Sequence, residues 1–175
     1  MIKQIELANI LDSIRSYAKS YNVLEALQKK YSSFMPSGDQ KTGVVGEFYS
    51  MLYLQRTYPK TKISLGKSAQ IGWDIEISLS NGSRKCIQVK TVSKFSKTRR
   101  ISPIHHGWDE LFLMYLDKKL FPIGFWIIDD KTIIKRDEIL IGKTMPIPGK
   151  TNTGSKVFDS KVDELSVLVS SILRK

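Results

Sequence analysis

Gly72-Trp73-Asp74-Ile75-Glu76-Ile77-Ser78-Leu79-Ser80-Asn81-Gly82-Ser83-Arg84-Lys85-Cys86-Ile87-Gln88-Val89-Lys90-Thr91 is the stretch that decides how this chain folds. Two runs within it, Trp73 to Leu79 and Arg84 to Thr91, alternate apolar with polar residues, and Asn81-Gly82 lies between them. Alternation with a period of two marks a half-buried strand, and Asn-Gly between two such runs is a strong hairpin signal. The stretch predicts a β-hairpin.

Its register follows from the pleat, because a one-residue slip moves every side chain to the other face. A loop of Asn81-Gly82-Ser83 sets Ile75 opposite Val89 and Ile77 opposite Ile87, with Asp74 beside Lys90 and Glu76 beside Gln88 on the other face. A two-residue loop pairs Ile75 with Gln88 and Ile77 with Cys86, which mixes the faces. A slip of two keeps the faces and changes the partners, so the faces are fixed more firmly than the pairing. Two carboxylates, an amide and an ammonium then share one polar surface. A hard cation such as Mg²⁺ takes oxygen ligands, commonly one or two carboxylates with carbonyls, water and substrate phosphate. Asp74 can supply a carboxylate, and the Gln88 side chain or the Val89 main-chain carbonyl a neutral oxygen. Lys90 is placed to orient or deprotonate a water, or to meet charge growing on a phosphate.

These residues resemble the PD-(D/E)XK nuclease superfamily, whose pattern is a helix Glu, a strand Asp and then (Glu or Gln)-x-Lys in the next strand. Here the elements are Glu47, Asp74 and Gln88-Val89-Lys90, so the chain is similar to the variant that carries Gln at the middle position. Trp73 stands where the family often has Pro. The likeness spans about 43–129. It implies an α/β (α+β) restriction-endonuclease-like fold, a mixed central sheet flanked by helices, with an N-terminal helical segment. It also implies a Mg²⁺-dependent endonuclease acting on DNA phosphodiesters in restriction or repair, with Mn²⁺ as a substitute metal. Asp74, Gln88, Lys90 and Glu47 are then the catalytic set, and Asp74, Gln88, Val89 and Glu47 the metal set. DNA is expected ahead of RNA, and a homodimer is the favoured form. The alternative is a nuclease fold without catalysis, serving as a nucleic-acid-binding or assembly subunit. Gln88, which removes a charge from the metal site, is the feature that supports it.

With 175 residues the chain is expected to form one domain, 1–175, with a helical extension over 1–35, a nuclease-type core over 43–129 and a terminal helix over 159–175. Lys and Arg number 28 against 17 Asp and Glu, a net charge of +11, which suits a polyanion partner and is also met in simple basic surfaces. From Ser83 to Ile104 there is no acid, and Lys94, Lys97, Arg99 and Arg100 are the expected nucleic-acid contacts. The one cysteine, Cys86, excludes an internal disulfide and is expected to be a small packing residue. With neither a signal-peptide pattern nor a long apolar run, a cytoplasmic protein with no membrane partner is expected.

Residues 2 to 34 show apolar residues at helical spacing, with Asn22 as a break or recap. That predicts a helical hairpin or bent helix serving as scaffold, with a dimer contact as the other use. After a loop at 35–39, with Asp39 or Thr42 as the cap, a helix from Gly43 to Thr57 is expected to bury Val44, Phe48, Met51 and Leu52. Glu47 falls on that stripe, so it needs a buried partner or a metal, or else serves as a Glu near a helix N-terminus or half of an ion pair. Asp74 and Lys90 could likewise simply pair across the strands, and Glu76 is a secondary ligand candidate.

Residues 62–65 read as a strand and 66–70 as a turn, whose Gly66-Lys67-Ser68 lacks the spacing of a phosphate loop. Trp73 is expected in the core. The segment 92–104 reads as a basic loop, with Phe95 pinning it to the core or stacking on a base. His105-His106 lacks the spacing of a zinc site. Runs at 109–117 and 120–128 are expected as buried strands joined at Lys118-Lys119. That leaves 102–109 too short for the helix usual in this fold. Beyond them, 131–141 reads as a short strand and helix, and 144–158 as a long loop. A last helix, capped by Asp159 or Ser160, is expected to bury Val162, Leu165, Leu168, Val169 and Ile172.

Overall fold

The structure is a computed structural model and describes residues 3–30, 41–66, 72–96, 99–129, 145–146 and 161–173. The loop at 35–39, residues 67–70 of the turn, Lys97, the segment 131–141 and the Asp159 or Ser160 cap lie outside the described residues. So does most of 144–158.

Two helices come first, α1 (Gln4–Lys30) and α2 (Lys41–Thr57). The strands β1 (Lys62–Leu65), β2 (Ile75–Ser78) and β3 (Arg84–Ser93) follow. After the short β4 (Arg100–Ile101) come β5 (Glu110–Leu116) and β6 (Pro122–Ile128). The described chain closes with β7 (Met145–Pro146), β8 (Val162–Asp163) and α3 (Leu165–Leu173). Six strands form one sheet in the order β1-β2-β3-β5-β6-β8, and β4 pairs with β7 in a second, two-stranded sheet. Among the described strands only β3 and β5 run parallel, so the large sheet is mixed, as expected. Among the described residues no helix is long and apolar enough to cross a membrane.

Alternation along β3 divides the sheet into two buried faces. Ile75, Ile77, Ile87, Val89, Phe112, Met114 and Phe125 meet α2 and α3 in one core, which also takes Leu7, Ile14 and Ala18 of α1. The opposite face, with Val92, Leu111, Leu113, Trp126 and Ile128, is covered by Ile101, Ile104 and Trp108. No helix occurs among the described residues between β3 and β5. Three fully buried apolar side chains of an otherwise polar segment cover that face instead, and only part of 92–104 behaves as a loop.

The hairpin forms with its faces as expected and its pairing displaced by two residues. Ile75 faces Ile87, Ile77 faces Lys85 and Ser78 faces Arg84. The loop does have three residues, but they are Ser80, Asn81 and Gly82. Gly82 takes the left-handed conformation (φ 80°) that ends such a loop, and its N–H donates to the Leu79 carbonyl at 3.0 Å. Asn81 Oδ1 accepts from the Ser83 N–H and hydroxyl, so the Asn side chain closes the turn.

Other expectations need correction. α1 runs unbroken through Asn22, whose amide donates to the Ala18 carbonyl within the helix and to the Lys118 carbonyl across the fold. α2 buries Val45, Tyr49, Leu52, Tyr53 and Leu54, whereas Val44 is 60% exposed. Val162 lies in β8 rather than in the last helix, and Asp163 Oδ1 accepts from the Leu165 N–H where α3 begins. Leu168 and Ile172 are buried as expected. Trp73 is half-buried against Gly66 rather than in the core. Phe95 is buried and packs on Tyr21 with ring centroids 4.0 Å apart, so it pins its segment to α1.

Candidate active site

The site is built where β2 parts from β3. The β2–β3 ladder ends at Ile75 and Ile87, and Asp74, the next residue outward, donates its N–H to the Ile87 carbonyl at 2.8 Å. Its carboxylate takes over a rung that a longer strand would have made, with Oδ2 accepting from the Val89 N–H at 2.7 Å. The N–H and C=O of one strand residue point to the same side, so the Val89 carbonyl also faces the edge that Asp74 occupies. Asp74 therefore stands just before β2, tied to β3 by two hydrogen bonds. The displaced register sets it across from Gln88 rather than Lys90.

Glu47 reaches this edge because α2 lies directly on β3. Gly46 has no room for a side chain, since a Cβ there would come within 1.8 Å of Thr91 Oγ1 and 2.8 Å of the Thr91 Cβ. That contact fixes the next residue of the helix. Burial, and then the negative charge of Asp74, push the Glu47 carboxyl up from its ordinary range. The two acids are thus close enough to repel. Lys90 is half-buried, and burial pushes its ammonium below the usual lysine range although the Asp74 charge opposes this. Among the described residues neither Glu47 nor Lys90 forms an ion pair.

Gln88 is 2% exposed, and both ends of its amide are engaged. Nε2 donates to the Gly72 carbonyl at 2.9 Å and Oε1 accepts from the His105 N–H at 3.1 Å. Gly72 has φ 98°, and a Cβ on it would lie 2.1 Å from the His106 carbonyl oxygen, so the loop that carries Asp74 lies against the loop of His105, His106 and Gly107. His105, the Gly72 carbonyl and the Gly46–Thr91 contact were not legible as site features from the spacing of charged residues. The signal available was the two glycines, Gly72 and Gly107, both with positive φ.

The structure also divides the basic residues. Arg84 pairs with Glu76 at 3.3 Å and Lys85 with Glu110 at 2.8 Å, acids that come from neighbouring strands rather than from the basic stretch itself. Glu76 is therefore turned toward the hairpin end, away from Asp74. Lys94, Arg99 and Arg100 are exposed around the end of β3 and the start of β4. Cys86 is half-buried, and its N–H donates to Asp109 Oδ2. His105 and His106 are exposed. Among the described residues no three His, Cys, Asp or Glu side chains gather closely enough to hold a metal ion by themselves.

Two acids remain, and they suit a hard cation that keeps most of its shell as water and substrate oxygen. A positive ion between Asp74 and Glu47 would ease the Asp74 repulsion that adds to burial in raising Glu47, and the Val89 carbonyl adds a neutral oxygen on the same side.

No family model matches the chain, and no curated protein matches its sequence. Among solved structures it is similar to the bacterial homing endonuclease I-Ssp6803I, with a TM-score of 0.44 and 13% identity over 71% of this chain and 88% of that one.

Proposed function

We propose that the chain is a Mg²⁺-dependent endonuclease that hydrolyses phosphodiester bonds in DNA, of the PD-(D/E)XK type its motif resembles. What supports this reading is that Asp74, tied to β3 beside Gln88, acts on the charge of both Glu47 and Lys90, with burial and the Asp74 charge raising the Glu47 carboxyl and burial lowering the Lys90 ammonium. Perturbed groups of this kind gather at functional sites. Asp74 and Glu47, with the Val89 carbonyl, would hold Mg²⁺ or Mn²⁺. When bound, the ion would activate water and the scissile phosphate. Lys90, its proton held less tightly than usual, orients the attacking water or takes its proton. Lys94, Arg99 and Arg100, exposed around the end of β3 and the start of β4, would meet the phosphate backbone, and such contacts position a substrate without reading its sequence. A homodimer would present two such edges to the two strands of a duplex.

Incubation of the purified protein with supercoiled and linear DNA, with Mg²⁺, Mn²⁺ or EDTA, tests this. Cutting should require the metal, and Asp74→Ala and Lys90→Ala should each reduce it by at least about 10²-fold, the size of effect seen when one electrostatic group is removed from a catalytic site. Full activity in either variant would remove the mechanism. Gln88, held at both ends, and the presence of two acids rather than three favour one second reading, a nuclease fold that binds nucleic acid without cutting it. Metal-independent binding with no cleavage under any condition would select it.

A further inference from the structure

We infer that Gln88 acts as a clamp between two loops of the site and not as a metal ligand. The inference rests on the nuclease reading for its catalytic consequence and on hydrogen-bond geometry for the clamp itself. A buried amide is satisfied only when its NH₂ meets an acceptor and its oxygen meets a donor. Gln88 has both, the Gly72 carbonyl at 2.9 Å and the His105 N–H at 3.1 Å, at 2% exposure. The two partners lie on different segments that already touch, because Gly72 fits under the His106 carbonyl only for want of a Cβ. Gly72 is two residues before Asp74. Asp74 is in turn bonded to the residues on either side of Gln88, through the Ile87 carbonyl and the Val89 N–H. One side chain thus ties the Asp74 loop, β3 and the His105–Gly107 segment together, and the direction in which Asp74 presents its carboxylate depends on that tie.

This assigns a reason to the amide. An ionised Glu at this position would keep an acceptor for the His105 N–H and turn a second acceptor against the Gly72 carbonyl. It would lose the donor and bury a charge. The acidic residue usual in the motif therefore does not fit the loops of this chain, although it would suit a metal ligand better than the amide does. Gln88 is a positioning residue for Asp74.

Gln88→Glu and Gln88→Met separate the two roles. Three quantities decide between them at neutral pH: Mn²⁺ affinity by titration, amide hydrogen exchange at His105 and Val89 by NMR, and the kcat of plasmid cutting alongside the Kd for DNA. For a clamp, both variants exchange the His105 and Val89 amides at least about tenfold faster, the equivalent of one ordinary hydrogen bond. Gln88→Glu binds Mn²⁺ no better than Gln88→Met, and kcat falls in both while the Kd for DNA is unchanged. A Gln88→Glu protein that binds Mn²⁺ more tightly than the unaltered chain, cuts as fast and leaves both amides protected would overturn the inference in favour of a ligand. If the unaltered protein cuts nothing, the nuclease reading fails by itself, and the exchange and Mn²⁺ arms still decide whether Gln88 is a clamp.

Discussion

The two ends of the β2–β3 pair carry similar residues and treat them in opposite ways. At the hairpin end each cation has an acid to meet, Arg84 with Glu76 and Lys85 with Glu110, and the exposed pair at 70% and 17% contributes little to stability. At the open end Lys90, five residues along the same strand as Lys85, has no ion pair among the described residues, and the Asp74 charge adds to burial in raising the Glu47 carboxyl. Burial would lower Lys85 as it lowers Lys90, but the hydrogen bond and charge of Glu110 carry Lys85 above the usual lysine range. A strand can satisfy its charges locally or hold them in mutual tension. The end that holds the tension is where chemistry is to be sought.

The largest effect expected of a single change at the open end is at the helix contact. Gly46→Ala drives a methyl into the short, β-branched Thr91 side chain, meeting its Oγ1, Cβ and Cγ2 at once, and should cost about 3 kcal/mol, the upper part of the overpacking range. Urea unfolding measures it, and Gly46→Ala with Thr91→Ala should recover most of the loss. A harmless Gly46→Ala would mean that α2 does not fix Glu47.

The next effect contrasts the two lysines directly. Lys85→Met leaves Glu110, itself 15% exposed, without its 2.8 Å partner and should destabilise by about 2 kcal/mol. Lys90→Met removes a desolvated charge that has no ion pair among the described residues and should stay within about 1 kcal/mol of the unaltered protein, or exceed it. Equal losses in the two variants would erase the difference between the ends.

The smallest effect is a slope. The folded-state value of Glu47 lies above its ordinary 4.5, so between those two values the folded chain holds more protons than the unfolded one. Stability should therefore fall as pH rises through that window. In Glu47→Gln this contribution to the slope is absent, and Mg²⁺ should flatten it in the unaltered protein by favouring the ionised acid. Thermal unfolding across pH, with and without Mg²⁺, reads both. A Glu47→Gln protein with the same slope would place the tension elsewhere.

Period-two alternation made the sheet faces legible, and it is the ground for expecting Asp74, Gln88 and Lys90 on one of them. The pairing was not legible, because two registers share those faces and the choice falls to a backbone requirement, Gly82 in the left-handed position at the end of the loop. The buried stripe of α2 was misplaced for a different reason. With Val44, Val45, Phe48, Tyr49, Met51, Leu52, Tyr53 and Leu54 in one helix, apolar residues occur almost all round it, and periodicity does not single out a face. Glu47 reaches the site through the Gly46 contact and not through a stripe shared with Val44. Mid-helix Asn competes for backbone bonds, which is why Asn22 predicts a break or recap. Its amide instead bonds back to Ala18 and on to Lys118, a partner that no local pattern shows. The cover of the second sheet face was likewise hidden, since Ile101, Ile104 and Trp108 are isolated apolar residues in a basic segment and have no period at all.

The bond from Asn22 to the Lys118 carbonyl has a consequence for timing. It joins residues 96 apart in sequence, and the ion pair of Lys118 with Glu25 joins residues 93 apart, at the same turn between β5 and β6. Tyr21 on Phe95 adds a third tie from that stretch of α1. A 27-residue helix can coil from local interactions alone, yet Asn22 and Glu25 meet these partners only once the chain has been made through that distant turn. During synthesis, this part of α1 thus waits for the β5–β6 turn before two of its three long-range ties can form.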